Sequence, residues 1–297
     1  MGLTKMSFMP RVHFVAALLL CVFVAIGSAP NTTNRSSASE KSNSAVRIAL
    51  CQTLCIESDK EGNLRRIEYA LELAAEMDAH IACFGETALL GWINPEAHDL
   101  ADPIPGPTTD RLCELAAKHG LMLSIGLCEK DGDKLYDSAV LINAEGHLIS
   151  KHRKCNILTE LMDPPYTPGD PEAVQIVDTE HGRIGMLVCA DTFQDDLVER
   201  VRSQQPDLLL VPYGWAAPKD AWPDHGKSLS QWIASTARRA ECVVIGTDIV
   251  GHISQGPWDG YVYGGQSAAV TNTGVRLAHL KDRDPDVVMI ELQITHK

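Results

Sequence analysis

VRIALCQTLCIESDKEGNLRRIEYALELAAEMDAHIACFGE, residues 46–86, changes its hydrophobic rhythm twice. Val46 to Thr53 is a nearly continuous apolar run, the pattern of a buried strand. Glu61 to Ala79 then carries apolar residues at helical spacing, and His80 to Glu86 returns to a strand-like run. Strand, helix and strand in so short a stretch are the signature of a parallel βαβ unit. The expected class is therefore α/β.

The same logic extends along the chain. Thr87 to Pro107 is punctuated by Gly and Pro and reads as a loop at a strand's carboxyl end, where α/β proteins place their sites. A helix over Thr108 to Gly120 has Thr109 or Asp110 as its expected cap and Gly120 as its stop. Strands follow at Leu121 to Lys130, Ser138 to Asn143 and His147 to His152, the last two joined across Ala144-Glu145-Gly146. After the irregular stretch Lys154 to Pro171, a second hairpin pairs Ala173 to Val177 with Arg183 to Cys189. Helices at Asp195 to Gln204 and Lys227 to Ala240 each lead into an apolar run, Asp207 to Trp215 and Cys242 to Gly251. A Gly-rich loop and three further strands near Ser267, Val275 and Val287 complete the chain. Two helix-flanked halves, each with antiparallel strands, imply one domain from Val46: an α-β-β-α four-layer sandwich, with two mixed sheets face to face and helices outside.

The residues before it differ in kind. Lys5 and Arg11 precede the apolar run Val12 to Ala29, which ends in the small residues Gly27-Ser28-Ala29. That is the layout of a secretory signal, with an uncleaved N-terminal anchor as the alternative. Pro30 to Ala45 is polar, Ser- and Asn-rich and without apolar period, as expected of a disordered linker. A secreted or periplasmic location follows, or an exported and membrane-anchored one. Membrane contact is expected only through an uncleaved N-terminal segment.

A formal net charge of -13 argues against an electrostatic footprint for nucleic acid. Of the 9 cysteines, Cys51, Cys83, Cys128 and Cys242 lie in apolar runs, where a thiol behaves as a small hydrophobe. Buried thiols are expected rather than a disulfide framework, and no cysteine or histidine spacing matches a zinc site.

GMLVCADTF, residues 185–193, puts Cys189 at the end of an apolar strand and before a helix start. A strand-to-helix turn holds a side chain rigidly beside free backbone N–H groups, so Cys189 is the candidate nucleophile. Glu86 and Lys154 stand at other strand ends. A thiol, a carboxylate and an amine together can attack a carbonyl carbon, move protons and stabilise an oxyanion.

With these residues in view, the sequence resembles the nitrilase, or carbon-nitrogen hydrolase, superfamily. FGETALLGW (84–92), KHRKCNIL (151–158) and GMLVCADTF match its glutamate, lysine and cysteine motifs, with YTPGD, VPYGW and GGQSAAVTNTG in support. The resemblance implies the same sandwich, a homodimer or higher homo-oligomer, no metal or organic cofactor, and a small-molecule amide or N-carbamoyl substrate. It implies Glu86 as general base, Lys154 as the cation facing the oxyanion and Cys189 as nucleophile. A second glutamate, expected between the lysine and the Pro-Gly-Asp turn, is matched nearest by Glu160, with Asp163 as competitor. Ala190, Tyr213 and Trp215 are candidate substrate contacts, and Asp191 reads as a helix cap. The chain departs from the pattern at Gly85, where proline is usual, and at Ala190, where an aromatic is usual. Ala190-Asp191 leans toward an amidase, because true nitrilases typically carry Trp then Glu after the cysteine. Alternatives are an N-acyltransferase on the same fold and a non-catalytic exported binding protein.

Overall fold

The structure, a computed structural model, describes residues 43–295. The expected export segment and most of the linker lie outside the described residues. Twelve strands form two six-stranded sheets. In chain order they are β1 (Asn43–Gln52), β2 (Ile81–Cys83), β3 (Met122–Asp131), β4 (Lys134–Ile142), β5 (Leu148–Arg153), β6 (Ile176–Thr179), β7 (Gly182–Met186), β8 (Leu208–Tyr213), β9 (Val243–Asp248), β10 (Ala268–Val270), β11 (Arg276–His279) and β12 (Asp286–Thr295). The first sheet runs β12-β1-β2-β3-β4-β5 and the second β6-β7-β8-β9-β10-β11. Each has three parallel strands in the middle, an antiparallel strand on one side and an antiparallel pair on the other.

Four helices cover the sheets: α1 (Lys60–Glu76), α2 (Pro107–His119), α3 (Asp195–Ser203) and α4 (Asp224–Ala240). The Asp59 side chain starts α1 by accepting the Gly62 N–H at 3.1 Å. Gly120, at φ 62°, stops α2 in the left-handed conformation that glycine adopts freely. The expected cap of α2 is corrected: Gly106 is the capping residue, and Thr109 reaches back to accept its N–H at 2.8 Å.

The period-two pleat of β1 divides the core. Ile48 and Leu50 pack between the sheets with Ile184, Leu208 and Leu210. Ala49 and Cys51 face the other way, against Ile67, Leu71 and Leu112 of α1 and α2. On the far side Leu197, Val201, Leu229 and Ile233 bring α3 and α4 onto the second sheet. This is the α-β-β-α sandwich, and burial of each such Leu or Ile contributes about 1.5–3 kcal/mol.

A small third sheet of Leu54–Cys55, Ala216–Pro218, Val250–His252 and Tyr261–Gly264 gathers the segments leaving β1, β8 and β9. It includes part of the Gly-rich stretch expected to be loop. The hairpin expected over 173–189 is displaced, since β7 stops at Met186, where its pairing with β8 ends. Cys189 therefore stands on a short 3-10 turn, Cys189–Phe193, rather than on a strand.

Candidate active site

Glu86 lies just past β2, the middle parallel strand of its sheet. Its N–H donates to the Tyr213 carbonyl at 3.1 Å, at the end of the corresponding strand of the other sheet. Two glycines make room for this passage. A Cβ on Gly126 would lie 2.6 Å from Glu86 Cα, and one on Gly85 would lie 2.8 Å from the Ile249 backbone nitrogen. The second approach is a physical reason for glycine at position 85 in this chain.

Lys154 follows β5, whose alternation sorts the basic cluster. Lys151 and Arg153 both bond Glu129 on one face. His152 and Lys154 point the other way, into the interior, where each is at most 5% exposed. The Lys154 N–H continues the ladder to the Asp137 carbonyl at 2.8 Å. Cys189 sits at φ 41°, a strained left-handed conformation for a side chain with a Cβ, as at nucleophile turns.

Two of the three groups are bonded, and the third lies in their field. Lys154 Nζ donates to Glu86 Oε1, and to Asp137 Oδ2 at 3.1 Å, with all three side chains at most 1% exposed. The ammonium also lies 4.9 Å from the centre of the Trp92 ring. Burial opposes its charge, but Glu86 and Asp137 outweigh burial and hold Lys154 well above the ordinary lysine value. Cys189, 5% exposed, lies in the field of both partners. Burial and the Glu86 charge push its thiol well up, against the opposing pull of Lys154.

The expected second glutamate is corrected. Glu160 is exposed in the 3-10 turn Thr159–Leu161, and Asp163 is exposed as well. The second carboxyl on Lys154 is Asp137, on β4. The β4–β5 hairpin dictates this: its register sets Ser138 opposite Arg153, so the next pair outward is Asp137 and Lys154. A register shift between Leu141 and Ile142 moves this pairing one residue from the register set at the Ala144-Glu145-Gly146 turn, so the turn alone did not reveal it.

Asp191 caps the short 3-10 turn of Cys189–Phe193 through the Val188 N–H, and it does more. It accepts N–H groups from Cys155 and Asn156, each at 2.8 Å, and from Val188 at 3.1 Å, and it pairs with His152 Nε2 at 2.8 Å. It thus straps the lysine loop to the cysteine turn, and the Asn156 side chain adds a bond to the Ala190 carbonyl at 2.7 Å. Burial works to raise Asp191, yet these bonds, His152 first, hold its carboxyl below the usual carboxylate range. Ligand atoms of His152, Cys155 and Asp191 lie within 4.8 Å of one another, but the Asp191 oxygens are already filled by hydrogen bonds. The histidine was unassigned by sequence, since its burial depends on the β5 register.

Ala190 is buried beside the nucleophile. Tyr213 is wholly buried, with its hydroxyl 3.3 Å from Thr192 Oγ1. Trp215 is half-buried, stacks on His225 and donates its backbone N–H to Asp248 Oδ1 at 2.8 Å. The described cysteines are thiols and six of them are buried, so Cys189 has no disulfide.

Residues 47–295 match the family described as Carbon-nitrogen hydrolase. The chain belongs to that family. Among relatives, "Hydrolase in pqqF 5'region" of Pseudomonas protegens is 27% identical over 78% of each chain. "Nitrilase 3" of Arabidopsis thaliana is 30% identical over 49% of this chain and 47% of its own length. The chain spans between 47% and 66% of the first curated nitrilases it matches. Among solved structures, an amidase from Nesterenkonia is similar in fold, with TM-score 0.70, 21% identity and coverage of 84% and 90%. A superfamily protein from Xanthomonas campestris, with an arsenic adduct in its active site, reaches TM-score 0.71 at 21% identity, covering 84% and 91%.

Proposed function

We propose that this carbon-nitrogen hydrolase is a thiol-dependent amidohydrolase acting on small amides through Glu86, Lys154 and Cys189. The observation that carries the reading is a buried Lys154 bonded to Glu86, with the Cys189 thiol in the field of both. Because that thiol is pushed up, it rests neutral and needs a base as it attacks. Glu86 takes the Sγ proton while Sγ bonds the amide carbon and the carbonyl electron pair moves to oxygen. Lys154 faces the resulting oxyanion, with the N–H that follows Cys189 as the second donor. Glu86 returns the proton to nitrogen, the C–N bond breaks, and ammonia or an amine leaves a thioester. Water, deprotonated by Glu86, then releases the acid and restores the thiol.

Two further points favour amides. An amidase of similar fold carries the acetamide moiety of fluoroacetamide on its active-site cysteine. Ala190 stands where an aromatic is usual in the family, leaving room beside the acyl group. The reading keeps export and a homo-oligomer as part of the proposal, with the buried Cys189 shielded in an oxidising compartment.

A panel of small aliphatic amides, ureido acids and nitriles, followed by ammonia release, tests the substrate class. Amides are expected to be turned over, with Cys189→Ala lower by about 10⁴-fold or more. Equal ammonia release by that variant overturns the triad, and release from nitriles alone overturns the amide reading.

A further inference from the structure

Among the described residues around Cys189, Lys154 is one ammonium bonded to two buried carboxyls. A nearby acid on the same sheet indicates what ionisation in this interior requires. Glu129, 1% exposed, takes bonds from Arg153 at 2.6 and 2.9 Å, from Lys151 at 2.6 Å and from Ser138 at 2.6 Å. Burial works to raise Glu129, yet these partners hold it below the usual carboxylate range. Asp137 has far less. It is 0% exposed, its Oδ2 shares Lys154 with Glu86, and its Oδ1 has no partner. Glu86 Oε2 is likewise buried and without a partner.

Two ionised carboxyls bonded to the same ammonium repel each other, and neither can donate to the other. A single proton removes one charge and turns the repulsion into a hydrogen bond. We infer that Asp137 and Glu86 form an acid pair holding one proton between them beneath Lys154, with Asp137 its resting bearer. The inference rests on the amidohydrolase reading for its kinetic consequence, though not for the proton itself. Asp137 is a positioning residue: it acts through Glu86 and Lys154.

Burial, then the Glu86 charge, push Asp137 well above the carboxylate range, and Lys154 offsets them only in part. The other titratable groups facing the pair are Cys189, Cys128, Tyr166, Tyr213 and Tyr263, all pushed up by burial, and Asp248 from β9. None of these supplies a second cation. In turnover the pair goes from one proton to two as Glu86 takes the Sγ proton, and back to one as nitrogen receives it. Asp137 keeps its own proton, so no second negative charge opposes the oxyanion. At high pH Asp137 loses its proton, which restores the opposing charge beside Glu86.

Asp137→Asn keeps the shape and the neutrality, so kcat/KM at neutral pH is expected within about tenfold of the parent. Its alkaline limb should move up by about one pH unit or more. Asp137→Ala, which leaves Lys154 and Glu86 without their partner, should lose about 100-fold or more. Infrared difference spectra of the full chain at neutral pH read the proton without turnover. The carbonyl stretch of a protonated carboxylic acid should lose one component in Asp137→Asn. Retention of that component, or equal losses in both variants with an unmoved pH profile, overturns the shared proton. Should the parent turn over no amide, the amidohydrolase reading fails while the infrared band still decides the pair.

Discussion

The two sheets have the same strand pattern and different chemistry. Counting from the antiparallel edge, both run one antiparallel strand, three parallel and two antiparallel. The first sheet carries an ionic interior: Glu86, Asp137 and Lys154 together, and Glu129 with its basic partners behind them. The second supplies Cys189 on a strained turn. One therefore holds its groups by cross-strand pairing and the other by backbone geometry. They meet through the Glu86 N–H on the Tyr213 carbonyl and through Asp191, whose oxygens reach Cys155 and Asn156. Reactivity is divided between the sheets, and so is the dependence of stability on it.

The largest expected effect separates these two roles. Lys154→Met and Cys189→Ala should both remove turnover, each by about 10⁴-fold or more if the triad acts as a unit. Their stabilities should differ. Lys154→Met leaves a buried carboxylate uncompensated and should cost about 3 kcal/mol, whereas Cys189→Ala should change stability by less than about 1 kcal/mol. Denaturant unfolding of both variants checks this, and equal stability losses would erase the distinction between the sheets.

Much of this division was legible in the sequence, for a physical reason. The βαβ unit over 46–86 and its repetition after Cys189 are local patterns of burial, readable from apolar period alone. Glu86, Lys154 and Cys189 follow strands, and strand ends were visible. Asp137 was not, because it stood at the edge of an expected strand and its partner lies 17 residues away across a hairpin. Glu160 drew attention by nearness in sequence to the lysine, but the chain past Lys154 turns out toward solvent. Asp191 has the composition of a cap and sits before a helix, yet its partners Cys155 and Asn156 lie 36 and 35 residues earlier. The reason for Gly85 is likewise distant, the Ile249 backbone packed against it. What escaped was pairing across distance, which period and propensity do not encode.

The strap between the sheets gives the next effect. Asp191→Asn keeps the shape but replaces an acceptor with a donor facing N–H groups, which should cost about 2 kcal/mol at neutral pH. The Asp191 carboxyl is held below its ordinary value in the fold. Its contribution should therefore be complete above the ordinary aspartate value of about 4, and fade as pH falls through the lower folded value. Melting temperatures of the parent and Asp191→Asn should converge in acid, and a gap that stays constant with pH would mean the charge contributes nothing.

The smallest effect probes the backbone of the second sheet's turn. At φ 41° any residue with a Cβ is strained, so Cys189→Ala keeps the strain and Cys189→Gly releases it. Glycine also gains freedom in the unfolded chain, which offsets part of the release. The balance at a left-handed position still favours glycine, by about 1 kcal/mol. Cys189→Gly should therefore unfold at higher denaturant than Cys189→Ala, although neither has a nucleophile. The reverse order would place the rigidity of the cysteine turn in the Asp191 strap instead of in the turn's own conformation.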